Sequence, residues 1–517
     1  MKKLLLPLMA LFLTHCGDQS TPKETLVVGR GIDDLITLDP AEAYEFSSAE
    51  YIYNTYDTLV VRDNDKPENI FPHVAESWSV SGDGKAITFK IRKGIKFHSG
   101  NELTAHDVAY SLRRLVSLRK EPSEIITQFG INSENLNDRI FVIDDYTVRL
   151  KMDHAYAPTL VLYCLTSPAS AVCDHKLLQS HEQNNDYGNK WLKINEAGSG
   201  PFKLKEWKAS QSLVLEANPD HWKTLPKLKK VMIRHISDPS TGRIMLEKKD
   251  LDIMGDLKYE QAEQIKNVEL IHVPVMATKF LSLNTKNKYL DNPMVRQAIR
   301  YAVDYDMIAN TILRGDVFVH QSFLPKGFPY VLKDRIYTLN LEKAKSLMKE
   351  AGLENGFEMN LETTHKDFGQ ILQSNLGKIG IKLNINLGDG KQVLTRIRER
   401  NYDMGFSTWS PDFFDPHANA MTFARNTDNS DESTEKTVAW RVSWDIPELT
   451  SLTDRAMMER DSAEREKMYH KLQKELYKSP IINLFQSTKT YVFQKNVKGV
   501  IFPSGLSSAY YHNAYKD

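Results

Sequence analysis

The chain has 517 residues, 41% hydrophobic and 26% charged, and its 67 Lys+Arg balance its 67 Asp+Glu. That length exceeds what one hydrophobic core usually supports, so two or three domains are expected, and the composition excludes a disordered chain. The zero balance leaves no general electrostatic pull toward nucleic acid or an anionic membrane surface.

The N-terminus reads as an address rather than as fold. Lys2-Lys3 make a basic start, and Leu4 to Leu13 make an apolar run too short to span a bilayer. Leu13-Thr14-His15-Cys16 resembles the cleavage box of bacterial lipoproteins, with His15 standing where a small residue is usual. The resemblance implies a signal peptide over 1–16 and acyl chains on Cys16, enough lipid for a stable anchor. Residues 17 to 24 read as a polar tether.

Leu26-Val27-Val28 opens the first strand, Asp39-Pro40 breaks it, and a helical run carrying Tyr44, Tyr51, Tyr53 and Tyr56 follows. The most informative stretch is Ala75 to Arg114. Ser81-Gly82-Asp83-Gly84-Lys85 is a turn cluster, and the residues on either side alternate polar and apolar, which predicts a β-hairpin with one buried face. Gly94 and Gly100 bracket a predicted short strand, Ile95-Lys96-Phe97. Thr104 with Asp107 three places on predicts a helix start, and Val108, Leu112 and Leu115 fall at helical spacing. Phe141 to Leu150 predicts a second hairpin about Asp144-Asp145.

Cys164 and Cys173 admit either a disulfide or two separately buried thiols, and Cys173-Asp174-His175 does not meet metal-ligand spacing. Gly198-Ser199-Gly200-Pro201-Phe202 reads as a turn into a strand, since it lacks the third Gly and the Lys-Ser/Thr of a phosphate cradle. Asn292-Pro293 caps a helix whose apolar face is Val295, Ala298, Ile299 and Ala302. A capped helix from Asn340 to Gly352, then helix, glycine stop and alternating strand over Leu372 to Ile385, predict an α/β region with a partly parallel sheet. One helix is expected from Arg455 to Lys478, followed by two strands, Ile481 to Phe485 and Tyr491 to Phe493.

No G-x-S-x-G elbow, Walker A loop or H-E-x-x-H helix occurs, and the Ser-x-x-Lys matches at Ser117 and Ser346 lack their companion motifs. The site candidate is Tyr402 through Pro416. There a short strand, Met404 to Thr408, runs into Trp409 and a loop holding Asp412 and Asp415. Ligands of open α/β domains bind at loops beyond strand ends.

Several ordered blocks also resemble a known family. Ala75-Glu76-Ser77-Trp78, Phe89, Arg92, Gly94, Phe97, Gly100, Leu103-Thr104-Ala105, Asp107-Val108 and Ser111 match the signature of bacterial extracellular solute-binding proteins of the oligopeptide/dipeptide family, family 5, which serve ABC importers. The Gly198 turn, Asn218-Pro219-Asp220-His221-Trp222 and the block from Asn284 to Asp304 agree with it.

The resemblance implies an α/β, two-lobed periplasmic-binding-protein-like fold of class II type with an extra inserted domain. Lobe 1 would take 17–63, 195–280 and 487–517, the inserted domain 64–194 and lobe 2 281–486, with crossings near 280 and 486. It implies a peptide-capturing lipoprotein that is not an enzyme and has no cofactor, metal, catalytic residue or nucleic-acid partner. Such a protein would be a monomer in the periplasm, held to a membrane by Cys16, with permease subunits as partners. Asp412 would pair with a peptide's ammonium, beside Trp409, Phe413 and Tyr402, while Asp415 shapes the loop. Phe413-Phe414-Asp415-Pro416-His417 is similar to a subgroup with other ligands. That keeps a non-peptide solute (opine, sugar, haem or nickel complex) as the alternative, with an exported hydrolase as a distant one.

Overall fold

The computed structural model describes residues 21–503 and 508–517; the expected signal peptide and Cys16 lie outside them. Alternation does build the signature hairpin. Ala75–Val80 and Ala86–Ile91 pair antiparallel with Trp78 opposite Phe89, and Ile87, Phe89 and Ile91 are buried. Gly84 closes the turn in the left-handed region, at φ 73°. Thr147–Lys151 and Ile140–Asp144 extend the hairpin to a four-stranded antiparallel sheet. The helix Ala105–Leu118 covers it, and its first turn is held by the Asp107 carboxylate, which accepts the Thr104 N–H at 2.7 Å. The expected strand at Ile95-Lys96-Phe97 does not form. Two glycines with positive φ turn the chain back too soon, leaving a single bridge from Lys96 to Glu102, although Ile95 and Phe97 are buried.

A second, eleven-stranded sheet runs through the rest of the molecule. At its centre Val268–Leu283 and Ile481–Gln494 lie antiparallel along most of their length. On one flank follow Met404–Trp409, Phe357–Thr363 and Ile381–Leu387, parallel to one another as the alternating helices and strands predict. On the other flank follow Ile253–Met254, Thr25–Arg30, Lys230–His235, Ser212–Ala217 and Phe202–Lys208. The Gly198 turn enters the last of these strands. A side chain at Gly198 would meet the Thr55 carbonyl oxygen at 2.0 Å, so close approach of two backbones demands glycine there.

Two expectations are corrected. Ile481 to Phe485 and Tyr491 to Phe493 belong to one strand, since the polar residues between them keep pairing: Thr488 lies opposite Pro274 and Thr490 opposite His272. The helix expected from Arg455 to Lys478 is two helices, Pro447–Met458 and Ser462–Leu476. Asp461 restarts the second by accepting the Ala463 and Glu464 N–H groups at 3.0 and 2.9 Å.

The register of the central pair shifts between Pro274 and Thr278, where three residues bulge out. Buried Gln486 fills that bulge, donating to the Val275 carbonyl at 3.0 Å and accepting the Lys326 N–H at 2.7 Å.

Separate apolar cores form. One gathers Ile87, Phe89, Leu112 and Leu160, a second Leu281, Ile299, Leu372 and Leu484, and a third Leu26, Ile52, Leu215 and Phe493. Cys164 packs in the first and Cys173 in the third, which is why both thiols are free and no disulfide joins them. Burial pushes the Cys173 thiol up to about 12. No helix among the described residues is long and apolar enough to cross a membrane.

Candidate functional site

The loop after Met404–Trp409 starts beside the crossing strand, with Trp409 opposite Thr278. Its far end is clamped. Buried Asp415 caps the helix Pro416–Phe423 by accepting the His417 N–H at 2.8 Å, and buried Arg465 grips both its oxygens at 2.7 and 2.9 Å. Phe414 packs edge-on to Tyr163 at 5.4 Å and against Phe328 at 4.6 Å, with the Arg62 guanidinium 4.2 Å over its ring. Phe413 is half-buried against the core of the signature region. Asp415 therefore has no oxygen free for a ligand, whereas Asp412, between the strand end and the clamp, stays exposed.

From the opposite side of the chain, Tyr44 Oη donates to Asp412 Oδ1. Tyr44 stands on a segment fixed by a second buried ion pair: Arg114 donates to both oxygens of Asp39 at 2.7 and 2.5 Å. Asn189 donates to Asp39 at 2.6 Å, and the Ala41 N–H does so at 2.9 Å. The same segment carries Ile36, Tyr44 and Phe46 at 66%, 56% and 53% exposure, an unusual concentration of open apolar surface. Crowding by protein raises the Asp412 carboxyl above the usual range, against the Tyr44 hydrogen bond and with help from Glu121. Burial and then Asp412 raise Glu124 as well. An ionised Asp412 thus sits where negative charge is uncomfortable, which suits an organic cation placed between it and the glutamates.

Trp409 stands edge-on to Phe423 at 6.4 Å, and its indole N–H is buried with no partner among the described residues. Trp409 ends the strand, and Asp412 and Phe413 follow on the loop beyond it. The structure does not bring Tyr402 there. Tyr402 is buried against Val393 and Ile397, donates to the Arg441 carbonyl at 3.0 Å, and precedes the opposite end of the strand, roughly 20 Å from Trp409 at the rise of a β-strand. Tyr44 is the residue sequence reading missed, taken there as part of a helix that begins at Phe46. Among the described residues no group of three His, Cys, Asp or Glu could hold a metal ion.

Comparison with known proteins gives the family and the fold. Residues 69–431 match the family described as bacterial extracellular solute-binding proteins, family 5 Middle. The chain is 28% identical over 504 residues to the probable D,D-dipeptide-binding periplasmic protein DdpA of Escherichia coli K12, spanning 95% of this chain and 94% of that one. Among solved structures it is similar to the periplasmic binding protein DppA from Helicobacter pylori in complex with the peptide STSA. The TM-score is 0.71 at 28% identity, over 95% of this chain and 98% of that one. It is also similar to AgaA from A. tumefacien R10 in complex with agropinic acid, with a TM-score of 0.68 at 26% identity, over 95% and 99%. The two-lobed α/β fold with an inserted domain, expected from the signature, is the fold of these binding proteins.

Proposed function

We propose, for a chain that belongs to the bacterial extracellular solute-binding proteins of family 5, that it captures peptides by their ammonium end on Asp412 and delivers them to an ABC importer permease. The observation that carries this reading is the exposed Asp412 carboxylate, displayed on a clamped loop and met by Tyr44 from the other side of the chain. A peptide ammonium taken out of water needs an opposed charge, because an unpaired buried ion costs several kcal/mol. Trp409, with its unpartnered indole N–H, and Phe413 would flank the bound chain.

The reading includes lobe 1 over 17–63, 195–280 and 487–517, an inserted domain over 64–194 and lobe 2 over 281–486; separate apolar cores around Phe89, Leu361 and Leu215 support this division in outline, although Cys173, Leu178 and Leu192 pack with the lobe 1 core. It also includes a lipid anchor on Cys16 in the periplasm, supported by the N-terminal sequence, so Cys16→Ser should release the protein from envelope membranes. A Cys16→Ser protein that stays with the membrane would remove the anchor.

The test is calorimetry with free and N-acetylated peptides. Acetylation should weaken binding by about 2–5 kcal/mol, as expected when one partner of a buried charged pair is removed. Equal affinity for the two forms would remove the amine-anchor role. It would also favour a second reading, the same scaffold with a non-peptide solute. The agropinic acid bound by AgaA, a relative of similar identity, supports that alternative. Mass spectrometry of ligand released from natively purified protein separates the two.

A further inference from the structure

Arg62, stacked on Phe414, also belongs to the wall of a cavity of about 330 Å³ that none of residues 402–413 lines. The cavity is of a size that suits a small molecule. Its wall carries one carboxylate, Asp57, and that group is fully engaged. Asp57 takes His73 Nε2 at 2.7 Å, Ser199 Oγ at 2.8 Å and Trp222 Nε1 at 3.0 Å. His73 is in turn approached at Nδ1 by the Lys223 ammonium, which also lines the cavity.

Arg62 has no such partner among the described residues. Its Nη1 is shut off from solvent and donates to nothing among the described residues. Its polar surroundings are the hydroxyls of Tyr53, Tyr510 and Tyr163, and burial lowers its pKa. The Phe414 ring offsets this in part, since a ring face attracts a cation but offers no acceptor for its N–H groups. A guanidinium fork in this setting is matched geometrically by a carboxylate or a phosphate. Tyr53 and Tyr510, with ring centroids 5.3 Å apart and planes tilted by 52°, supply an aromatic flank. His221, also in the wall, gives its Nδ1–H to the Thr224 carbonyl at 3.3 Å, which leaves Nε2 as a buried acceptor without a partner among the described residues.

We propose that this cavity is a second ligand site, for a small organic anion whose carboxylate or phosphate group meets Arg62 and Lys223 and whose body lies against Tyr53 and Tyr510. The anion is either free or the anionic end of the captured solute; the chemistry at Arg62 is the same. The site does not depend on the role of Asp412.

The test titrates the ligand-stripped full-length mature protein with inorganic phosphate and with benzoate, by calorimetry, as wild type, Arg62→Met and Lys223→Met. Saturable binding of at least one of these to wild type is expected, weakened tenfold or more by either substitution. Arg62→Lys, which keeps the charge and loses the fork, should fall between wild type and Arg62→Met and guards against a folding defect in the latter. A second arm compares peptides ending in a free acid and in an amide. If Arg62→Met erases a preference for the acid, the anion is the solute's own carboxylate; if the preference survives while phosphate or benzoate binding is lost, the site takes a free anion. No saturable binding to wild type, or wild-type affinity in Arg62→Met and Lys223→Met, overturns the proposal.

Discussion

Asp412 and Asp415 stand three residues apart and should fail in opposite ways. Asp415 is fully buried, holds Arg465 through two hydrogen bonds at 2.7 and 2.9 Å, and caps a helix. Asp415→Ala strands a buried guanidinium, at a cost of about 3–5 kcal/mol when one partner of a buried pair is removed. Loss of the cap adds about 1 kcal/mol. That is a large part of the roughly 5–15 kcal/mol that holds a domain together. Asp412 carries the reverse sign. A carboxyl whose pKa is raised on folding favours the fold where it is protonated, at low pH, and works against it above the raised pKa. Asp412→Asn should therefore leave stability at pH 7 unchanged or slightly higher, while peptide binding falls. Urea denaturation at pH 7 reads both variants, together with Arg465→Met and the double variant Asp415→Ala/Arg465→Met. The double variant should lose less than the sum of the singles, because both break the same contact. An Asp415→Ala protein that unfolds at the wild-type midpoint, or an Asp412→Asn protein as unstable as Asp415→Ala, would refute the assignment of one aspartate to the loop and the other to the ligand.

Three further outcomes are expected. His417 is buried, and burial first, then Arg465, lowers it to about 4 against the pull of Asp415. The unfolded chain binds that proton near pH 6.5, so stability should fall as pH drops from about 6.5 to about 4. His417→Phe should flatten that limb by on the order of 3 kcal/mol in denaturation curves at pH 4 and 7; an unchanged limb would exclude His417 as its source. Saturating ligand should shrink the radius of gyration in solution scattering, because the closed state alone contacts it from both lobes. Gln486→Leu, which leaves the Val275 carbonyl and Lys326 N–H unpaired, should lower stability by about 1–3 kcal/mol. No compaction at saturation would count against closure.

What the sequence made legible was local. Alternation around Ser81 to Lys85 and the Thr104/Asp107 pair specify the hairpin and the helix start, since both depend on neighbours in the chain. The breaks came where distant contacts decide. Gln486 to Thr490 read as a gap between strands because they are polar, yet they pair with the opposite strand and Gln486 satisfies a bulge more than 200 residues away. Asp461 falls inside the run expected as one helix, Arg455 to Lys478, although Asp-Ser is itself a helix-start signal. At the site, Trp409, Asp412 and Phe413 stand at one strand end and the loop beyond it and could be read together. Tyr402 was drawn in by proximity in sequence, whereas a strand of six residues carries it to the far end. Tyr44 and Arg62 give no local cue: what marks them is a carboxylate 368 residues away and, for Arg62, the lack of an acceptor at Nη1 among the described residues.

The two central strands are hydrogen-bonded to each other on both sides of the bulge, from Val268 opposite Gln494 to Ser282 opposite Ile481. Two independent tethers would let the halves of a molecule slide, twist and part. A ladder of two strands bends across its face but resists shear within it, because shear would break hydrogen bonds in register. The Pro274–Thr278 bulge is the wider of two interruptions of that ladder, the other falling between Lys279 and Phe280, so bending concentrates along this short stretch. In the closure proposed above, relative motion of the lobes would be reduced toward one rotational degree of freedom. An arriving solute would then have little orientational search to suppress, and the entropy lost on closing would stay small. The pocket walls can change their chemistry without altering the path along which they meet.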